Sequence, residues 1–203
     1  MFGIQDTMHG QGTFRYANKD IYRGEFRDDK MHGVGFFSFF EGATYEGEYR
    51  SDAIHGQGKF CFADKISSYE GEWRFGKKWG QGKYIFPSGD SYEGSYRDDR
   101  MDGFGIYRYK EGDIFEGEFR EGKKQGFGRA YFADGDSYVG NYENDKMCGR
   151  GVYKSADGDV FDGEYSGDMM NGVGKCTSKK YAITNTPFPV TSSNAFSRTL
   201  RSH

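Results

Sequence analysis

A chain of 203 residues with a formal net charge of −3 carries no global excess of positive charge, which argues against a nucleic-acid grip built on counterion release. Only 35% of its residues are hydrophobic, yet 18% are aromatic, glycine occurs 32 times and leucine once, at Leu200. Amphipathic helices lack their usual material here, whereas rings set among glycines suit half-buried strands and tight turns.

From the N-terminus onward, a Gly-x-Gly pair recurs at Gly10/Gly12, Gly33/Gly35, Gly56/Gly58, Gly80/Gly82, Gly103/Gly105, Gly126/Gly128, Gly149/Gly151 and Gly172/Gly174. The step is 23 residues except once, where it is 24 because a loop is stretched over 64–68. Between the pairs runs aromatic-x-Gly-x-aromatic: Tyr22-Gly24-Phe26, Tyr45-Gly47-Tyr49, Tyr69-Gly71-Trp73, Tyr92-Gly94-Tyr96, Phe115-Gly117-Phe119, Tyr138-Gly140-Tyr142 and Phe161-Gly163-Tyr165. Both elements have period two, the period of a strand, so each unit reads as a β-hairpin. Turn chemistry stands at the joints, as in Asp134-Gly135-Asp136 between units and Asp98-Asp99-Arg100 within one. The spacing predicts an all-β protein: an elongated, single-layer antiparallel meander of stacked hairpins, a half-repeat followed by seven repeats over residues 1–175. Some fifteen strands at about 4.8 Å apiece would make a ribbon roughly 70 Å long, with two open edges. Glycine on the ring-bearing face leaves room for an aromatic ring to lie over the backbone.

This pattern, Tyr-Glu-Gly-Glu-Tyr-Arg then His-Gly-Gln-Gly at 45–58 and Phe-Glu-Gly-Glu-Phe-Arg then Gln-Gly-Phe-Gly at 115–128, closely resembles the MORN repeat family from about Met8 to Lys175. The resemblance implies hairpin stacks used for protein–protein assembly and, in some members, for contact with acidic lipid. It further implies a freestanding scaffold of the radial-spoke or cytoskeletal type, because no kinase or methyltransferase domain fits in the chain.

Several segments invite a sharper reading. Gly71 to Lys77 and Gly117 to Lys123 both spell G-x-x-x-x-G-K, but lack the following Ser or Thr and a helix to open, so they are expected to be sheet glycines rather than a phosphate loop. His9, His32 and His55 share one repeat position. Two strand spacings, about 9.5 Å, separate such positions, too far for one zinc ion with bonds of about 2.0–2.1 Å. No nucleophile–base pairing stands out, so no catalysis, cofactor or metal is expected.

The expected contact surface is the ring-bearing face: Tyr22, Phe26, Tyr45, Tyr49, Tyr69, Trp73, Tyr92, Tyr96, Phe115, Phe119, Tyr138 and Tyr142. With no second sheet to cover it, this face could receive an extended segment or a helix. On the opposite face, Phe104, Ile106, Phe127 and Tyr131 form a second candidate patch, beside a ladder of Glu46/Glu48, Glu70/Glu72 and Glu116/Glu118. Lys77, Lys78, Arg100, Lys123 and Lys124 line the turns and would serve the rival reading, a phosphoinositide or membrane contact, although aspartates share those turns. A regulatory subunit of an enzyme on another chain is a third reading.

After Lys175 the repeat stops, and residues 176–203 form a Ser/Thr-rich basic tail, expected to be extended, with Phe188, Phe196 and Leu200 as candidate anchors. Three scattered cysteines suggest free thiols in a reducing compartment. No apolar run approaches the ~20 residues of a membrane span, and no basic-then-apolar leader opens the chain. The expectation is a cytoplasmic, cytoskeletal or axonemal scaffold that binds other proteins and has open ends for end-to-end self-association.

Overall fold

The computed structural model describes residues 7–178 and 188–189, and among these every regular element is a β-strand. The chain divides into two compact units, residues 1–100 and 101–203. The first holds β1 (Gly10–Arg15), β2 (Ile21–Arg27), β3 (Lys30–Ser38), β4 (Thr44–Arg50), β5 (Ala53–Cys61), β6 (Ser68–Arg74), β7 (Lys77–Ile85) and β8 (Ser91–Arg97). The second holds β9 (Arg100–Arg108), β10 (Ile114–Arg120), β11 (Lys123–Tyr131), β12 (Ser137–Glu143), β13 (Lys146–Lys154), β14 (Val160–Ser166), β15 (Met169–Thr177) and the two-residue β16 (Phe188–Pro189). Within each unit every strand pairs antiparallel with its neighbour in sequence. Each unit is the single-layer meander that the period-two repeat predicts.

The register sets glycine against glycine. Gly24 faces Gly35, Gly47 faces Gly58 and Gly71 faces Gly82 within hairpins, and Gly35 faces Gly47 and Gly58 faces Gly71 between them. The second unit repeats this with Gly117–Gly128, Gly140–Gly151 and Gly163–Gly174. A row of bare backbone therefore crosses each unit, and the first ring of every hairpin lies along it. Tyr45 covers Gly47 of its own strand and Gly58 of the next, so that a Cβ built on either would fall 2.5 Å from a Tyr45 atom. Its hydroxyl donates to the Glu48 carbonyl at 3.1 Å, and Tyr22, Tyr69 and Tyr92 repeat that bond at 2.9–3.1 Å. The ring seals two glycines and meets a backbone acceptor, so burial leaves no polar group stranded.

Immediately after the facing glycines the ladder slips, with a β-bulge in each hairpin. The cause is the first glycine of each pair: Gly56 sits at φ +65, a left-handed conformation that side chains resist. Glu48 folds over this bulge and accepts from the Gln57 N–H at 2.9 Å, as Glu72 does from Gln81 at 2.8 Å. Glu48 and Glu72 of the acidic ladder are thus structural rather than merely solvated.

Hairpin turns stack by a reciprocal clip. In the Ser51-Asp52 turn both φ angles are positive, 50 and 70, the type I′ geometry that suits a right-twisted hairpin. The Met31 N–H donates to Asp52 Oδ1 at 2.8 Å, and the Asp52 N–H donates to the Met31 carbonyl at 3.0 Å. Met8–Asp29, Lys78–Asp99, Lys124–Asp145 and Met147–Asp168 repeat both bonds. Where glycine replaces the aspartate, at Gly76 and Gly122, only the N–H bond survives, at 2.8 Å. At the opposite ends of the strands Asp20, Asp113 and Asp136 accept from Phe40, Ala133 and Ala156, each at 2.8 Å. These aspartates explain why the turns alternate in sign. Asp52→Ala is expected to cost about 2 kcal/mol, the lost carboxylate bond plus the left-handed strain. Asp52→Gly, which relieves the strain, is expected to cost about half as much, a ranking that urea denaturation of the two variants would check.

Candidate protein-docking face

The ring-bearing face contains two populations. First-strand rings are core: Tyr22, Tyr45, Tyr69, Tyr92 and Tyr138 are 0% exposed, and Phe26, Tyr49, Trp73, Tyr96, Phe115, Phe119 and Tyr142 are 1–8% exposed. They meet edge to face in a relay from hairpin to hairpin, with Tyr22–Tyr49 centroids at 5.2 Å, Tyr45–Trp73 at 5.7 Å and Tyr69–Tyr96 at 5.1 Å. In the second unit Phe115–Tyr142 and Tyr138–Tyr165 lie at 4.9 and 5.0 Å. Predicted as contact residues, these rings instead form the protein's interior, because each sinks into the gap that a facing pair of glycines leaves.

The open aromatic surface belongs to the ends of the second strands. Phe14, Tyr16, Phe37, Phe39, Phe60, Phe62, Tyr84 and Phe86 form a ladder along the first unit, with successive centroids 4.5–5.8 Å apart. Phe14 is exposed and the others are half-buried. Phe37 stands opposite Tyr45 on one side and Tyr22 on the other, where no glycine makes room beneath it, so it remains upright at the rim. The signal was present in sequence as the aromatic-x-aromatic that ends each second strand of the first unit.

Two of the turn lysines lie on this face. Lys78 Nζ stands 4.4 Å from the Tyr84 centroid, 5.5 Å from Tyr96 and 5.7 Å from Tyr69. Lys124 is held likewise by Phe115 and Tyr109, at 5.0 and 5.2 Å. Burial pushes the Lys78 pKa below the ordinary lysine value, opposed by the Asp99 carboxylate. Met31, Ile54 and Met147 occupy the same repeat position, so these lysines stand in for apolar side chains, with their charge resting on rings. Lys77 pairs with Asp98 at 3.2 Å, Arg100 has a partner as well, and Lys123 is exposed. As a row of free cations the predicted lipid site does not form.

On the reverse face Phe104, Phe127 and Tyr131 are 55%, 51% and 45% exposed and Ile106 is half-buried. Phe104 stands opposite Glu118, and Phe127 opposite Asn141, so carboxylate and amide interleave with the rings. In the first unit the reverse face carries Lys59–Glu70 and Lys83–Glu93 pairs at 3.2 and 3.8 Å, which floor an open hollow of about 560 Å³. Exposed pairs of this kind contribute little to stability.

The remaining sequence candidates are accounted for individually. The two G-x-x-x-x-G-K runs cross the β6–β7 and β10–β11 turns, and no helix follows. His9 pairs with Asp28 at 3.3 Å and His55 rests on Phe75 at 5.2 Å. No group of three His, Cys, Asp or Glu side chains gathers among the described residues, nor is any helix there long and apolar enough to cross a membrane. Phe196 and Leu200 lie outside the described residues, and Phe188 is described only as backbone, paired with Gly174.

The MORN repeat profile matches residues 4–21, 22–44, 45–66, 69–91, 92–114, 115–137, 138–160 and 161–182. The chain is a MORN-repeat protein. Repeats of this family generally mediate protein or membrane interactions. Among solved structures, this MORN array is similar at 12% identity and TM-score 0.46 to the TCP domain of SAS-4 (dCPAP) of Drosophila melanogaster, solved in complex with a proline-rich motif of Ana2 (dSTIL). That match covers 84% of this chain and 85% of the other. It is likewise similar, at 12% identity and TM-score 0.46, to the TCP10 domain of Danio rerio CPAP in complex with a peptide of Danio rerio STIL, over 82% and 72% of the two chains. No curated protein sequence matches the chain.

Proposed function

We propose that this MORN-repeat protein is a non-enzymatic assembly scaffold of a cytoskeletal or axonemal structure in the cytoplasm, holding a segment of another protein along its aromatic rim. The half-open ladder from Phe14 to Phe86 carries this reading. Rings at regular spacing on an uncovered sheet face offer apolar area that is already ordered, so a partner loses less entropy in docking. A membrane contact has less support, because Lys78 and Lys124 are packed on rings and Lys77 is paired. The test is retention of a tagged copy after non-ionic detergent extraction of its own cells. The expected result is a detergent-resistant pool that disappears when Phe39 and Phe62 are both changed to serine, while the variant keeps its circular dichroism and melts within a few degrees of the parent. Release together with the membrane lipids would overturn the scaffold reading.

A further inference from the structure

The reverse face of the second unit carries a row of side chains with a symmetry of its own. Across neighbouring strands the register sets Glu116 beside Arg129, then Val139, Val152, Asp162 and Lys175 in turn. Two valines thus hold the centre. Outward from them the order is cation then anion on one side, and anion then cation on the other. Reversing the row therefore inverts every charge and leaves the valines in place. The equivalent row of the first unit has no apolar centre: Glu46, Lys59, Glu70, Lys83 and Glu93 alternate in sign and pair within their own sheet. Val152 is 39% exposed and Val139 is half-buried, so the second unit leaves apolar area in water where the first unit has charge.

A row that becomes its own electrostatic complement on reversal is what a twofold interface asks for, since there residue i meets residue j and j meets i. We propose that this face binds the same face of a second copy of the chain, sheet on sheet, about a twofold axis that runs along the strands between β12 and β13. Val139 then faces the partner's Val152, Arg129 faces the partner's Asp162, and Glu116 faces the partner's Lys175, each contact made twice. Arg150 already reaches Asp162 at 3.6 Å, and the incoming arginine meets that carboxylate from the opposite sheet. On the side toward the β-turns after β11 and β13, Tyr131, 45% exposed, faces the partner's Val160. On the other side Phe127 faces the partner's Glu164 and Asn141 the partner's Arg150, which makes that side the wet rim of the contact.

Other registers of the same packing fail on charge. An axis along β12 sets Glu116 against the partner's Asp162, and an axis along β13 sets Arg129 against the partner's Lys175. A shift by one strand either way from the proposed axis lays charges on the valines. Turning the axis along the row sets each of the four charges against its own copy. Like charges across an interface suppress the wrong pairing, so one arrangement is selected. Six strands at about 4.8 Å, with rows spanning about 17 Å along them, cover roughly 500 Å² per copy, or roughly 1,000 Å² in all. That is the low end for a specific interface, so the dimer is expected to form on the order of 10–100 μM. The ring-bearing face of the unit lies on the other side of the sheet and is left open.

The test is sedimentation velocity of the full chain from about 1 to about 300 μM at low salt, where a monomer–dimer equilibrium is expected that weakens as salt is raised. Arg129→Glu and Asp162→Arg are each expected to weaken self-association at least tenfold, because each sets two like charges face to face. The two variants mixed in equal amounts are expected to dimerise with each other at close to the parent affinity, because every facing pair in the mixed dimer is again of opposite sign. Restoration on mixing cannot come from a folding defect in either variant. A chain that stays monomeric throughout the range, self-association that ignores both reversals (as joining through the sheet ends would), or variants that remain monomeric when mixed would each overturn the assignment.

Discussion

Gly58→Ala is expected to destabilise the first unit by about 3 kcal/mol, although its backbone conformation is one that alanine accepts. The added methyl would fall 2.5 Å from Tyr45 Cζ, and Tyr45 is 0% exposed, so the ring has to leave its seat. Overpacking alone costs about 1–3 kcal/mol, and displacing the ring also breaks the hydroxyl bond to the Glu48 carbonyl, worth about 1 kcal/mol. The disturbance then spreads, because Tyr45 packs edge to face on Tyr49 and Trp73 at 5.2 and 5.7 Å. Urea denaturation of Gly58→Ala, Tyr45→Leu and the double variant gives the decisive cycle. The double variant is expected to be more stable than the sum of the single losses, because a smaller side chain at position 45 vacates the space that the methyl needs. Strict additivity would mean that the glycine matters for some other reason. Gly12→Ala is the control and is expected to cost well under half as much, since among the described residues its methyl would meet only the edge of Phe26, at 3.2 Å.

That contrast also marks how far the sequence could be read. The alternation of ring and glycine fixed the strands, because period two has one structural meaning, and turn residues such as Asp134-Gly135-Asp136 placed their ends. It could not separate Tyr45 from Phe37. Both are rings on the same face, and they stand opposite one another. Only the register reveals that Tyr45 has two glycines to lie on while Phe37 has none, and that register depends on bulges one residue long. The same blindness affected charge. Glu48 and Lys78 look like solvent-facing side chains in a polar strand and a polar turn. The bulge at Gly56 bends the chain so that Glu48 meets the Gln57 N–H, and Lys78 shares its repeat position with Met31 and Ile54, under the rings. Such a position can be suspected once repeats are stacked by column, since a site that alternates Met, Ile and Lys asks for length and apolar contact rather than charge.

Alkali is expected to unfold the array cooperatively between pH 10 and about 12. Burial raises the pKa of Tyr22 to about 12, with Glu25 and other nearby groups adding to the shift. It pushes Tyr45, Tyr49, Tyr69, Tyr138, Tyr142 and Tyr165 upward as well, Tyr45 and Tyr69 aided by Glu48 and Glu72. These groups hold their protons in the folded chain above pH 10, where the unfolded chain releases them. The folded state therefore binds more protons, and stability that is fully present below pH 10 falls as pH rises, by up to about 1.4 kcal/mol per pH unit for each such tyrosine. Lys78 acts in the other direction, since its lowered pKa means that the unfolded chain binds more protons in that range, but one lysine opposes several tyrosines. The measurement is tyrosinate absorbance and β-sheet circular dichroism followed together as pH is raised. The buried tyrosines should ionise in one steep step that coincides with loss of the sheet. If all of the tyrosines titrated smoothly around pH 10 with the sheet intact, the first-strand rings would be open to solvent. The inward seating of those rings over the glycine row would then be wrong.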